Sequence, residues 1–333
     1  MSQTQQIQER IALGQSGPAV APFALGCMGM SGAYSPARRD EGIATIHAAL
    51  ERGVCLLDTG DFYGMGHNEL LVREAIAGRR EQALLSVKFG AMRTPSGGWS
   101  GVDTRPAAVK NFCAYSLQRL GVDTIDIYRP ARLDPNVPIE DTVGAIADLI
   151  KAGHVRYLGL SEVGPETIRR AHAVHPVVDV QLEYSLVSRG PERAIFPLLG
   201  ELGISATLYG VLARGLLGGR TPTAPTDYRA YLPRFSAEHR EHNDAVVRAF
   251  VEFGQARDLT PAQLAVAWVR AKQPALVPLV GARTPAQLQD ALAALERPLS
   301  ADDVAALEER LGPDPLQGTR YGAEQMKHLD SER

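Results

Sequence analysis

Three side chains early in the chain are of types that together can move a proton: Asp58, Tyr63 and Lys88. Asp58 closes the apolar run Cys55-Leu56-Leu57, and Lys88 closes Leu84-Leu85-Ser86-Val87. A lysine ending an apolar run is costly to desolvate unless a carboxylate answers it, and Asp58, ending the neighbouring run, is the obvious partner. A phenol held beside that ammonium is drawn from its ordinary pKa of about 10 towards a range useful for proton transfer. Taken singly, the residues read as a buried ion pair and a loop aromatic. Taken together at adjacent strand ends, they read as a general acid.

The elements that must position them follow from period and punctuation. Short apolar runs at 23–25, 55–58, 84–87, 125–128, 157–160, 178–181, 205–209 and 276–280 alternate with helical patterns at 40–52, 69–77, 105–120, 139–151, 165–174, 193–202, 243–257 and 285–295. Gly53, Gly121, Gly153 and Gly203 stand just past helical patterns, where a left-handed residue closes a helix. Eight βα units with no run of adjacent strands predict a parallel sheet closed on itself, a (β/α)8 TIM barrel. The rival is an open doubly wound sheet, but Gly26, Gly29 and Gly32 do not make the GxGxxG turn expected after its first strand. All 333 residues are expected in one domain, with its core at about 18–312 and a long mouth loop at about 210–242. The ends, 1–17 and 313–333, read as polar and peripheral.

Composition narrows the partners. Hydrophobic residues make up 45% and charged residues 22%, close to globular averages, and a net charge of -3 gives no basic footprint for nucleic acid. Cys27, Cys55 and Cys113 are odd in number and lack the paired spacing of a disulfide framework or a metal site. No apolar stretch reaches the roughly 20 residues of a membrane helix, and the start is polar where a signal peptide is apolar. The expectation is a cytoplasmic protein whose partners are small molecules or a second copy of itself.

Further motifs appear in order: Gly159-Leu160-Ser161-Glu162, then Val180-Gln181-Leu182-Glu183-Tyr184-Ser185-Leu186-Val187-Ser188-Arg189, Tyr209 with Arg214-Gly215, and Val280-Gly281-Ala282-Arg283. With Asp58-Thr59-Gly60-Asp61-Phe62-Tyr63-Gly64 and Lys88, this series resembles the aldo-keto reductases from about Leu25 to Leu311. The resemblance implies an oxidoreductase that carries hydride from NADPH to an aldehyde or ketone, with Tyr63 as general acid. It places Ser161 and Gln181 on the nicotinamide carboxamide, Tyr209 under the ring, and Met28 at the border of that pocket. It puts Gly210, Leu212 and Arg214 in the pyrophosphate loop, and Gly281, Arg283 and Gln287 at the adenosine end. A cation opening the last helix suits a 2′-phosphate, and so NADPH over NADH. The chain departs from the family at Gly210-Val211-Leu212-Ala213, where Ser-Pro-Leu-Gly is usual, at Ala291 in place of Asn, and at Thr284 in place of a second basic residue.

The fourth catalytic position departs further. Relatives commonly read Asp-Leu-Tyr-Tyr-Gln-His-Arg-x-Asp-Pro, whereas here Asp126-Ile127-Tyr128-Arg129-Pro130-Ala131-Arg132-Leu133-Asp134-Pro135 puts Ala131 where the family has histidine. Loss of such a donor costs several kcal/mol of transition-state stabilisation. Three readings stand open. Arg129 or Arg132 supplies the donor, strand alternation putting Arg129 on the side of Ala131; the vacated space admits another reaction, such as reduction of a conjugated C=C or C=N bond; or the chain binds NADPH as a sensor or subunit with little turnover. Trp99 is expected at the mouth or on the surface, and Tyr228, Tyr231 and Phe235 as a lid or as anchors of the long loop.

Overall fold

The computed structural model describes residues 6–34, 36–224 and 227–332. Eight parallel strands close into a barrel in sequence order: β1 (Ala24–Gly26), β2 (Leu56–Gly60), β3 (Leu84–Phe89), β4 (Ile125–Pro130), β5 (Val155–Ser161), β6 (Val177–Glu183), β7 (Ser205–Tyr209) and β8 (Val277–Gly281). β8 pairs with β1, so the sheet has no free edge. Every one of the eight apolar runs became one of these strands, and the single-domain TIM barrel expected from their alternation is the fold.

The helices pack outside: α1 (Arg39–Glu51), α2 (His67–Ala75), α3 (Pro106–Leu120), α4 (Ile139–Lys151), α5 (Pro165–Val174), α6 (Ile195–Leu202), α7 (Ala237–Gln255), α8 (Pro261–Lys272), α9 (Pro285–Leu292) and α10 (Ala301–Leu311). The four glycines expected to close helices all have left-handed φ. Alternation divides each strand between two cores. On β4, Tyr128 faces outward and donates from its hydroxyl to Val109 O of α3 at 3.1 Å, while Ile127 joins Leu56, Val277 and Leu279 inside the barrel.

Three differences from the sequence expectation have clear causes. α7 begins at Ala237, six residues before the predicted start, because its first turns (Ala-Glu-His-Arg-Glu-His) are too polar to show a period. α8 was not anticipated: Leu264 to Val269 are all buried, so it has no polar face to reveal it, although Thr260 and Gln263 form a capping box at its start.

The third concerns the ends. A short hairpin, Ile11–Ala12 with Val20 and Ala19, seals the bottom of the barrel with Ile11, Leu13 and Val20. At the other end of the chain Arg320, Tyr321 and Leu329 are buried. Neither end is peripheral among the described residues; 1–5 and 333 lie outside them. Within those described, no helix is long and apolar enough to cross a membrane.

Candidate active site

At the C-terminal ends of the strands lies a cavity of about 880 Å³, the place where barrels of this class hold reactive groups. Asp58 and Lys88 reach it from β2 and β3, where Gly60 is the register partner of Lys88. Lys88 Nζ is in hydrogen-bond contact with Asp58 Oδ2, and both side chains are buried. Asp58 Oδ1 accepts from Ser86 Oγ at 2.9 Å and from Gln181 Nε2 at 2.8 Å, so the carboxylate is held from three sides.

Tyr63 follows β2 in a short turn that includes left-handed Gly64 and Met65. A side chain at Gly64 would be strained at φ 57° and would place its Cβ 3.1 Å from Ser31 Cβ. Asn68 pins the loop, accepting from Thr59 Oγ1 at 2.7 Å and donating to Cys27 O at 2.8 Å. The turn sets the Tyr63 ring edge-on to Phe62, centroids 4.8 Å apart, with Lys88 Nζ 5.2 Å from its centre.

The three residues meet as expected, but the phenol is not drawn down. Burial, reinforced by the Asp58 carboxylate, pushes Tyr63 well above its ordinary value against the opposing pull of Arg132. Burial likewise lowers Lys88 despite Asp58 beside it. The arrangement is a protonated phenol with an ammonium at hand to receive the charge left when the proton departs.

Arg129 does not join this group. It lies on the same face as Ala131, as alternation requires, but one layer deeper, roughly 7 Å along the strand. Its guanidinium turns across the barrel to Asp179 Oδ2 at 2.6 Å and to Leu160 O at 3.2 Å, and both members of that ion pair are fully buried. Alternation gives a side chain's face and says nothing of its height. Ala131 does line the cavity, and so does Arg132 next to it.

The ten residues expected at a dinucleotide all line this same cavity: Met28, Ser161, Gln181, Tyr209, Gly210, Leu212, Arg214, Gly281, Arg283 and Gln287. Ser161 Oγ is buried without a protein partner, as fits a hydroxyl reserved for a ligand amide. The turn after β7 carries consecutive left-handed residues at Ala213, Arg214 and Gly215, and within it the Ala213 and Gly215 amides donate to Gly210 O at 2.6 Å and Leu212 O at 2.9 Å. Gly210 is required there, because a Cβ would lie 2.9 Å from Glu183 Cγ. Thr284 caps α9, while Gln287 Oε1 accepts from the Arg283 amide at 3.0 Å. Burial, and then repulsion from Arg220 and Arg229, depress Arg283, the mark of cations gathered for an anion.

Arg214 is placed differently from the expectation of a phosphate ligand. Its guanidinium pairs with Glu183 Oε2 at 2.7 Å and lies 4.6 Å from the centre of the Tyr321 ring. Tyr321 is the residue that sequence reasoning missed. Its hydroxyl is 2.9 Å from that of Tyr209 and accepts from Arg132 Nη2 at 3.1 Å. Gln325 and His328 of the same segment also line the cavity. The pair Arg320-Tyr321 in a polar tail was the available signal, and it points to a site only once a partner surface is known.

Trp99 takes the mouth position, its ring 6.1 Å from that of His328. In the long loop Tyr228 reaches over the cavity to Gln325 Oε1 at 3.1 Å, Tyr231 is exposed at the rim, and Phe235 is buried as an anchor.

With this geometry, similarity to known proteins becomes specific. Residues 22–311 match the model of the Aldo/keto reductase family. The chain is 38% identical over 326 residues to "Probable aldo-keto reductase 1" of Glycine max, covering 96% of this chain and 93% of that one. Among solved structures, a glycerol dehydrogenase from Gluconobacter oxydans aligns with TM-score 0.82 and 29% identity over 96% of this chain and 99% of its own. An aldo/keto reductase from Klebsiella pneumoniae, solved with NADP and acetate, aligns with TM-score 0.72 and 26% identity over 94% of this chain and 99% of its own.

Proposed function

The chain belongs to the aldo/keto reductase family and is a nicotinamide-dependent oxidoreductase, and from that premise we propose that it reduces an aldehyde or ketone with Tyr63 as proton donor. The observation that carries this reading is the meeting of Asp58, Lys88 and Tyr63 in one cavity with the phenol kept protonated. NADPH, when bound, supplies the hydride that goes to the carbonyl carbon. Tyr63 gives its proton to the carbonyl oxygen, Lys88 steadies the phenolate left behind, and Asp58 holds Lys88 in place. Solvent then restores the phenol.

For the cofactor, Tyr209 offers its ring as the nicotinamide platform, with Met28 at its border. Ser161 Oγ and the free end of Gln181 hold the carboxamide, since Gln181 Nε2 is already given to Asp58. Gly210, Leu212 and Arg214 line the path of the pyrophosphate, and Gly281, Arg283 and Gln287 take the adenosine end. The cations around Arg283 favour a 2′-phosphate and hence NADPH. Of the two arginines near Ala131, Arg132 is the one that the cavity reaches, and it places the substrate where relatives use an imidazole. Three unpaired cysteines accord with a reducing, cytoplasmic setting.

Single-turnover oxidation of bound NADPH against a panel of aldehydes and ketones tests the reading. The expected result is hydride transfer that Tyr63→Phe slows by about 10²–10⁴-fold with dinucleotide binding retained. Absence of transfer to any carbonyl, or a fully active Tyr63→Phe protein, overturns it.

A further inference from the structure

Beside the part of the cavity nearest Tyr321 lies a cluster in which carboxylates answer guanidiniums. Glu162, Glu183 and Glu332 face Arg214, Arg234 and Arg320. Arg320 contacts Glu162 at 2.9 Å, Glu183 at 3.2 Å and Glu332 at 2.5 Å, while Arg214 and Arg234 hold Glu183 at 2.7 and 3.5 Å. Arg132 stands beside this cluster as a fourth guanidinium. Its hydrogen bonds go to neutral oxygens alone, Ala131 O at 2.6 Å and Tyr321 OH at 3.1 Å, and its centre lies 5.4 Å from the Tyr321 ring. Among the described residues no carboxylate stands in ion-pair contact with it; Glu162, whose charge bears on it from beyond that range, is engaged by Arg320, Ser331 and the Glu183 amide.

A half-buried guanidinium on the cavity wall, whose own hydrogen bonds go to neutral oxygens, still has donors and charge to offer an anionic ligand. Of the carboxylates on the cavity wall, Asp58 is paired with Lys88 and Asp290 accepts from Thr260 and Gln263 at 2.9 Å each. Tyr63, Ala131 and Arg132 line the same cavity, and position 131 contributes only a methyl to it. Phe62, Trp99 and Ala91 also line the cavity, with Arg93 5.7 Å from the centre of the Phe62 ring.

We propose that the substrate is a carbonyl compound carrying a carboxylate on an apolar or aromatic frame, and that Arg132 grips the carboxylate while Tyr63 meets the carbonyl oxygen. This rests on the reductase reading of the same site. A planar fork of donors suits a carboxylate better than a point charge does, so arginine, and not lysine, is the fitting residue.

The test compares para-carboxybenzaldehyde with its uncharged isostere para-carbamoylbenzaldehyde, and succinic semialdehyde with its amide, at saturating NADPH. The wild-type protein is expected to favour each acid at least tenfold in kcat/KM. In Arg132→Gln that acid-to-amide ratio falls to near one, and Arg132→Lys restores part of it. A ratio near one in the wild type, or a ratio that Arg132→Gln leaves as it was, overturns the proposal while leaving the reductase reading intact. If no aldehyde is reduced, the reductase reading fails by itself, and calorimetry of benzoate against benzamide on the NADPH-loaded protein decides the anion site. Benzoate binding that Arg132→Gln abolishes supports it, and equal binding of the two overturns it.

Discussion

At the N-terminal ends of the strands the barrel is sealed by an apolar cluster in which Ile11, Leu13 and Val20 pack with Ala24, Leu56 and Ile127. At the opposite end the chain's last residues close the mouth through charges: Arg320 on Glu162, Ser331 Oγ on the same carboxylate at 2.5 Å, and Asp330 Oδ2 accepting from the Gly164 amide at 2.7 Å. Apolar contact is non-directional and leaves nothing over to recognise a ligand. Charged contact is directional, depends on pH and salt, and here delivers Tyr321 to both Tyr209 and Arg132. The difference explains why one terminus only holds the barrel together while the other shapes its site.

The strongest way to break this comparison is Arg320→Met. It strips the main partner from Glu162, whose carboxyl burial would raise but which Arg320, with Arg132 and Ser331, holds down at about 2. Leaving that buried carboxylate uncompensated should cost about 4 kcal/mol in denaturant unfolding, and KM for the carbonyl substrate should rise as Tyr321 loses its anchor. Arg169→Met, which breaks the exposed pair with Glu201, is the control and should leave stability close to that of the wild type. Equal losses in the two variants would show that the mouth charges contribute no more than surface ones. Next in size is Leu13→Ala at the sealed end, where a fully buried side chain leaves a cavity. Stability should fall by about 3 kcal/mol, with kcat and KM unaltered at temperatures where the variant is folded. A changed KM would mean that the two ends are coupled through the barrel.

The same contrast governs what could be read from the sequence. Strands were legible because each is a short apolar run bounded by turn residues, and Asp58, Tyr63 and Lys88 because their motif places them on neighbouring strand ends. α8 escaped because a helix buried all round shows no period, though the Thr260 to Gln263 box marked its start. Arg129 was assigned to the pocket by alternation, a rule that cannot tell a mouth layer from the one below it. The tail at 313–333 read as peripheral because Arg320, Glu162 and Glu183 are charged; such residues are buried only when partners far apart in sequence meet, and composition does not register that meeting.

A smaller and more selective probe uses pH. Asp61, two residues before Tyr63, accepts from the Gly90 amide at 3.3 Å with one oxygen, and its other oxygen is buried without a partner. Burial, with Glu69 adding its negative charge, raises this carboxyl to about 7, against the Gly90 amide and Arg119. The unfolded chain therefore releases this proton at lower pH than the folded one. Its cost is absent below the unfolded value of about 4, grows as pH rises towards 7, and levels off above it. Between about pH 5 and pH 7 the wild-type protein should lose on the order of 2 kcal/mol to this group. Asp61→Asn keeps an acceptor for Gly90 and has no proton to release, so the difference in stability between variant and wild type should widen across that interval and stay constant beyond it. A difference independent of pH would show that Asp61 is solvated, and would weaken the claim that the mouth, unlike the sealed end, is held by groups whose charge matters.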